Sequence, residues 1–572
     1  MRLKYLVAGA AAAALTVSLA ACGGGSNGSN GSTGGNGGGG GNATSTGGSS
    51  NDKPGGTLKL EGSVFPDSLD PDFGYTTQAQ EADTMVYIPL LTYAEQQGTA
   101  GTQLIPGAAE SLPQVSSDGL TYTLTLRKGL KFSDGSPVVA SDFTLAVERS
   151  VRLPWGGASF LTGYIKGAAD YADKKASSIS GITTDNSTGK ITIQLTQKYG
   201  AFPNVLAFVQ TAPIPANTPF KVLSNTPPLG DGPYKFGKIV ANQSYVLQKN
   251  PNYVQIPGIS AGYVDEIDMT VQSNPDTEAQ DVINNTADVF DPADTITGSA
   301  LATVQQDTSR YAKIPSATTY YFFMDVTQKP FNNQDVREAV NMALDRPALS
   351  KLSGGSLTPG AFFLPPTIAG HTDGGYPWQS NVNASPSAAT IAKAKNMVKA
   401  AGLANYPVTV WSQTKQPRQN YDTEYTRVLN EIGLKATLKV VADATYFQQI
   451  GNANNHAQTG FADWSQDFPN PSDFYLLLDA RSIQPVNNEN FGNVNDAHIQ
   501  QQLKALEPIP ATQLSSAAPK WQALDKYVAQ KAYVAVFGYE TLPKFFSDRV
   551  DFNKAIVNPV DYLLFNTVEL TQ

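Results

Sequence analysis

The segment Trp464-Ser465-Gln466-Asp467-Phe468-Pro469-Asn470-Pro471 sets an indole and a carboxylate in one short turn-forming stretch. A carboxylate held this way can accept a charge-assisted hydrogen bond from a cation, a contact of about 1.5–3 kcal/mol, while the ring offers apolar surface. That is recognition chemistry rather than bond-breaking chemistry. The competing role for Asp467 is support of the proline turn itself. Spacing elsewhere offers no catalyst: His371, His456 and His498 are isolated, and HExxH, CxxC and phosphate-loop patterns are absent. No cofactor and no metal site are expected, and the chain reads as a binder rather than an enzyme. Only a triad dispersed along the chain escapes this argument.

The single thiol, Cys22, has no partner for an intramolecular disulfide. It follows Arg2, Lys4 and the apolar run Leu6–Ala21, which is the layout of a secretory signal peptide and is shorter than the ~20 residues that span a bilayer. Leu19-Ala20-Ala21-Cys22 resembles the lipobox of bacterial lipoproteins, in which the cysteine sulfur takes a diacylglycerol. The resemblance implies a signal peptide over 1–21 and a lipid anchor at Cys22, placing the protein on the extracytoplasmic face of the cell membrane. From Gly23 to Asn51 the chain holds only Gly, Ser, Asn, Thr and Ala, so residues 22–54 read as a flexible tether with a reach of roughly 30 Å.

Behind these candidates must stand a large folded body. The chain has 572 residues, 41% of them hydrophobic, which is too much for one core and calls for at least two lobes. The formal charge of −9 gives no basic footprint for nucleic acid. Thr121–Leu126 alternates as a half-buried strand, and a helix capped by Ser141 or Asp142 runs to about Val151. Ile191, Ile193 and Leu195 alternate again, as do Tyr245 and Leu247. Asp335–Lys351 has helical spacing throughout. Ala388–Ala401 and Gln419–Ile432 are helices closed by glycine, each followed by a strand, PVTVWSQ and KATLKVV. The sum is an α/β protein.

Four stretches, in order, resemble the family 5 extracellular solute-binding proteins, the oligopeptide and dipeptide receptors of ABC importers. They are GLTYTLTLRKGLKFSDGSPVVASDFTLAVERSV from Gly119, Asp231-Gly232-Pro233-Tyr234 with Asn250-Pro251-Asn252-Tyr253, YYFFMDVTQKPFNNQDVREAVNMALDRPAL from Tyr320, and WSQDFPNPSDF from Trp464. The resemblance implies a two-lobed periplasmic-binding-protein-like clamshell with three discontinuous domains: 55–82, 190–312 and 535–572 as domain I, 83–189 as domain II, and 313–534 as domain III. Crossover strands near Tyr320 and Phe537 would form the hinge. It also implies a monomer that delivers peptide, or another small solute, to an ABC permease with its ATPase subunits.

In peptide-binding members, the aspartate of this last motif takes the ligand's α-ammonium and the tryptophan lines a side-chain pocket. Those roles fall on Asp467 and Trp464. Phe65, beside the family-like Ser68-Leu69-Asp70-Pro71 entry, is a further candidate for the cleft, with a place in the first domain's strand end as its alternative. Oligopeptide receptors carry an arginine where this chain has Phe461, so Phe461 would contact ligand without meeting an acidic group; Arg418 or Arg427 could substitute. Nickel complexes, haem, sugars and opines are served by the same family pattern. A lipid-anchored cell-wall hydrolase and a non-transport envelope lipoprotein are the alternatives from other classes.

Overall fold

Alternation and turn chemistry build three main sheets. The computed structural model describes residues 55–571, apart from Pro154 and Asn487; the expected signal peptide, Cys22 and the tether lie outside the described residues. A five-stranded sheet runs in the order Val289–Phe290, Thr57–Gly62, Glu266–Val271, Ser244–Lys249, Tyr234–Val240. A four-stranded antiparallel sheet orders Gln114–Val115, Thr121–Thr125, Lys190–Gln194 and Ile182–Asp185. A six-stranded sheet orders Leu357–Pro359, Val534–Phe545, Tyr311–Met324, Thr459–Ser465, Pro407–Gln413 and Lys435–Val441.

Two of these strands change cores along their length. Tyr311–Met324 and Val534–Phe545 pair antiparallel, with a register shift between Pro315 and Thr319. On one side of the shift, Leu542 and Phe546 pack with Leu58, Leu60 and Ile267 of the five-stranded sheet. On the other, Tyr321, Val536 and Tyr539 pack with Trp411, Phe474 and Trp521. A bulge between two cores is where a paired ribbon bends most cheaply, because its ladder is already interrupted there.

The family-like motifs turn out to be scaffold. Asn250 donates from Nδ2 to the Gly232 carbonyl at 2.8 Å, Asn252 does the same to the Ser133 carbonyl at 3.0 Å, and the Asp231 carboxylate accepts from the Ile88 amide at 2.9 Å. The segments DGPY, NPNY and SDG therefore form one knot. Only glycine fits at 232, since a Cβ would lie 2.5 Å from the Met85 carbonyl oxygen. Ser68-Leu69-Asp70 is fully buried, and Asp70 with Asp72 grips Arg149 at 2.5 and 2.6 Å. That entry motif ties the first strand region to the helix Ala140–Arg152 and does not border the cleft. Arg337 reaches the carbonyls of Lys531 and Ala532 at the end of the helix Leu514–Lys531, and Arg346 donates to the Val536 carbonyl on a crossover strand.

Helix boundaries follow the expectations with two corrections. The signature helix begins at Ala140, because the Asp142 carboxylate accepts from the Val139 amide. Asp335–Lys351 is two helices, Gln334–Ala343 and Arg346–Leu352. Pro347 has no amide hydrogen to continue the first, and the Asp345 carboxylate caps the second through the Ala348 amide at 3.0 Å.

Candidate ligand-binding site

Tyr75, from the turn ahead of the helix Thr77–Val86, donates its hydroxyl to Asp467 Oδ1 at 2.6 Å. Asp467 follows the strand Thr459–Ser465. The two residues border a cavity of about 1120 Å³, whose wall also carries Trp155, Phe160, Tyr164 and Tyr199 from one side and Trp464, Phe447 and Phe491 from the other. Tyr164 and Tyr199 stack face to face, 4.0 Å between centroids.

Asp473 orients the aspartate and tryptophan together. Its Oδ2 accepts from the Asp467 amide at 2.8 Å and from Trp464 Nε1 at 3.2 Å. Burial pushes the Asp467 carboxyl up to about 7 despite the opposing pull of the Tyr75 hydrogen bond. The Asp473 carboxyl is raised well above its ordinary value by burial and by the charge of Asp467. Burial, then repulsion from Asp467, brings Glu489 to about 7. Asp467 Oδ2 is shut from solvent and has no hydrogen-bond partner in the protein. A buried carboxylate oxygen with an open valence beside a cavity is a place for a cation.

The strand beneath adds a backbone surface. Thr459–Met324 through Ser465–Thr318 pair along one side, but on the other only Thr459 and Gly460 pair, with Val410 and Trp411. Asp463-Trp464-Ser465 thus presents its other edge without a described strand against it, next to the cavity.

Of the residues expected in the cleft, the structure brings Asp467 and Trp464 to its wall and leaves Phe461 and Phe65 away from it. Phe461 is fully buried, edge-on to Tyr320 at 5.4 Å, because it packs into the core with Tyr421 and Phe537. Phe65 packs against Tyr245 at 6.2 Å in the core under the five-stranded sheet. Arg418 lies over the Phe461 ring at 5.0 Å and is ion-paired to Asp463, whereas Arg427 sits exposed between Glu424 and Glu431. None of the histidines lines the cavity. Among the described residues no group of three or more His, Cys, Asp or Glu is arranged to hold a metal.

Tyr75, Glu489 and Asp473 were not among the expected residues. Asp473 was within reach of sequence reasoning as the second carboxylate of the same motif. Tyr75 and Glu489 carry no local signal, because only the tertiary fold brings them to Asp467.

Two α/β lobes joined by paired crossover strands around a large, aromatic-walled cavity define a solute-binding clamshell. The chain belongs to the bacterial extracellular solute-binding proteins, family 5, whose middle-region profile matches residues 103–484. It is similar to the glutathione-binding protein GsiB of Escherichia coli O1:K1, 29% identical over 423 residues, covering 71% of this chain and 77% of that one. In fold it is similar to the clavulanic acid biosynthesis oligopeptide binding protein 2, with a TM-score of 0.81 at 23% identity over 91% of this chain and 96% of that chain. The Escherichia coli murein tripeptide binding protein MppA superposes with a TM-score of 0.71 at 21% identity, over 90% and 98% of the two chains. The relatives are named as binding proteins, not as enzymes.

Proposed function

We propose that this protein is the receptor of an ABC importer, held to the outer face of the cell membrane through lipidated Cys22, and that it captures short peptides with a free N-terminus. The observation that carries the reading is the unpartnered, buried Oδ2 of Asp467, beside an unpaired strand edge at a large cavity. The α-ammonium would pair with the Asp467 carboxylate, and the peptide backbone would bond the edge at Asp463–Ser465, so that affinity depends little on side-chain identity. The volume exceeds the roughly 300–1,000 Å³ of a common small-molecule site and suits several residues.

Glutathione, which the sequence relative binds by name, carries two carboxylates. The cavity wall has Arg481 as its cation, already bonded to Asp479 and Glu507, which favours an α-peptide instead. Phe461 and Phe65 are not assigned to the ligand.

The same reading divides the chain into three domains, 55–82, 190–312 and 535–572 as the first, 83–189 as the second and 313–534 as the third, with one boundary moved: Lys190–Gln194 pairs with Thr121–Thr125 and packs with Tyr199, Phe202 and Phe208 in that core, so the second domain runs on to about residue 208. The register shift at Pro315–Thr319 marks the crossing, and the boundaries at 313 and 535 lie a few residues to either side of it. The monomeric state and the docking to permease and ATPase subunits belong to the same reading.

Calorimetry with trialanine and N-acetyl-trialanine tests it. Free trialanine binds, and acetylation weakens binding by at least about tenfold, the effect of losing one charge-assisted hydrogen bond. Asp467→Asn removes that difference. Equal binding of the two peptides would take the ammonium away from Asp467, and hydrolysis of either would make the protein an enzyme.

A further inference from the structure

Six carboxylates line the cavity, from Asp463, Asp467, Asp479, Glu489, Glu507 and Asp561, and they do not stand alike. Asp463 is paired with Arg418. Asp479 and Glu507 share Arg481. Asp561 accepts from the Ser316 hydroxyl at 2.7 Å and from the Ala317 amide at 3.3 Å, which ties it to the crossover bulge. Three have no cation: Asp561, held by those two neutral donors; Asp467, whose Oδ1 is taken by Tyr75 and whose Oδ2 is open; and Glu489, which alone of the three has neither ion pair nor hydrogen bond among the described residues.

We propose that the cavity selects peptides bearing a second cation, an ammonium or guanidinium side chain in the first or second residue, and that Glu489 holds that group while Asp467 holds the α-ammonium. The inference rests on the peptide-receptor reading and narrows its substrate class. One α-ammonium neutralises one carboxylate. Asp467 and Glu489 both line the cavity and carry like charge, so a neutral side chain near the N-terminus leaves the Glu489 charge uncompensated once a ligand is seated. A basic side chain compensates it.

The cavity wall that carries Glu489 also offers aromatic surface for such a side chain. Phe447 and Phe491 lie nearly parallel, 6.1 Å between centroids, and both border the cavity with Trp464. A lysine or arginine stem can lie along these faces with its charge at the carboxylate, combining apolar burial with a cation–π contact. An acidic side chain in the same place meets no unpaired cation on the wall.

The test is calorimetry on the purified full-length protein and its Glu489→Gln variant, with Lys-Ala-Ala, Ala-Lys-Ala, Ala-Ala-Ala and Glu-Ala-Ala. The better lysyl peptide binds at least about tenfold tighter than Ala-Ala-Ala, the equivalent of one charge-assisted contact, and Glu-Ala-Ala binds more weakly than either. In Glu489→Gln, whose fold is checked by its melting temperature, the lysyl preference falls below about threefold. Equal binding of lysyl and alanyl peptides, or a preference that survives Glu489→Gln, overturns the charge selection and leaves the peptide receptor standing. Failure of all four peptides to bind overturns both.

Discussion

The Tyr75 hydroxyl and Asp467 Oδ1 meet at 2.6 Å across 392 residues of chain, and they do so at the wall of the ligand cavity. One carboxylate therefore joins two distant segments through one oxygen and leaves the other without a partner among the described residues. Tyr75→Phe removes the contact that favours the ionised carboxylate. Peptide affinity at pH 7 falls roughly tenfold, the scale of a hydrogen bond to a charged group, and the pH at which binding is half-maximal moves upward. Calorimetry across pH 5.5–8.5 reads both.

The raised Asp467 carboxyl makes stability and binding respond to pH in opposite directions. It titrates at about 7 when folded against 3.8 for the ordinary group, so folding takes up a proton between those values. Stability of the empty protein declines as pH rises from about 4 to 7, and the penalty is complete above that range. Peptide affinity instead grows through the same window, because only the ionised carboxylate pairs with ammonium. Asp467→Asn raises the melting temperature at pH 8 by about 1–4 °C while losing the ammonium contact. Glu489, Asp473 and the hydroxyls of Tyr75 and Tyr562 share the site, so scanning calorimetry shows a shallower pH slope in the variant rather than none.

Phe468, next in the chain, is fully buried in a different core from its neighbours, 5.3 Å from Phe160 and 5.9 Å from Phe208. It holds the motif loop against the opposite wall of the cavity. Phe468→Ala leaves a void costing about 3–5 kcal/mol at that contact and shifts the population toward an open form. The radius of gyration of the empty protein rises in solution scattering, and peptide affinity drops roughly 10- to 100-fold.

Arg149→Met strands Asp70 and Asp72 in a dry site where Asp83 is also buried. Loss of one partner from a buried ion pair costs about 3–5 kcal/mol, and denaturant unfolding shows it as a lower midpoint. Peptide affinity of the folded fraction is unchanged, since Arg149 does not border the cavity.

Cys22→Ala releases the protein from membranes into the soluble fraction without altering its peptide affinity. Protein that still sediments with membranes after a high-salt wash would remove the lipid anchor.

Much of this was legible because the informative residues act locally. Alternation marked Thr121–Thr125 and Lys190–Gln194, and the terminal glycines 402 and 433 marked helix ends. Trp464 and Asp467 were found because they share one short segment. Phe461 was misplaced by the same closeness: three positions before Trp464 on the strand, it is taken up by the core with Tyr421 and Phe537. Phe65 failed for a different reason, since an aromatic beside a turn serves a core or a cleft with the same sequence, and only Tyr245 decides between them. Glu489 and Tyr75 were out of reach, because nothing near either residue records the charge it would face.

In the knot formed by DGPY, NPNY and SDG the asparagine side chains end on backbone carbonyls, and the arginines of the later motif do the same. These motif residues thus fix how distant segments are tied together, while other residues line the cavity. Resemblance carried by them reports a shared scaffold and leaves the choice of solute to residues outside them.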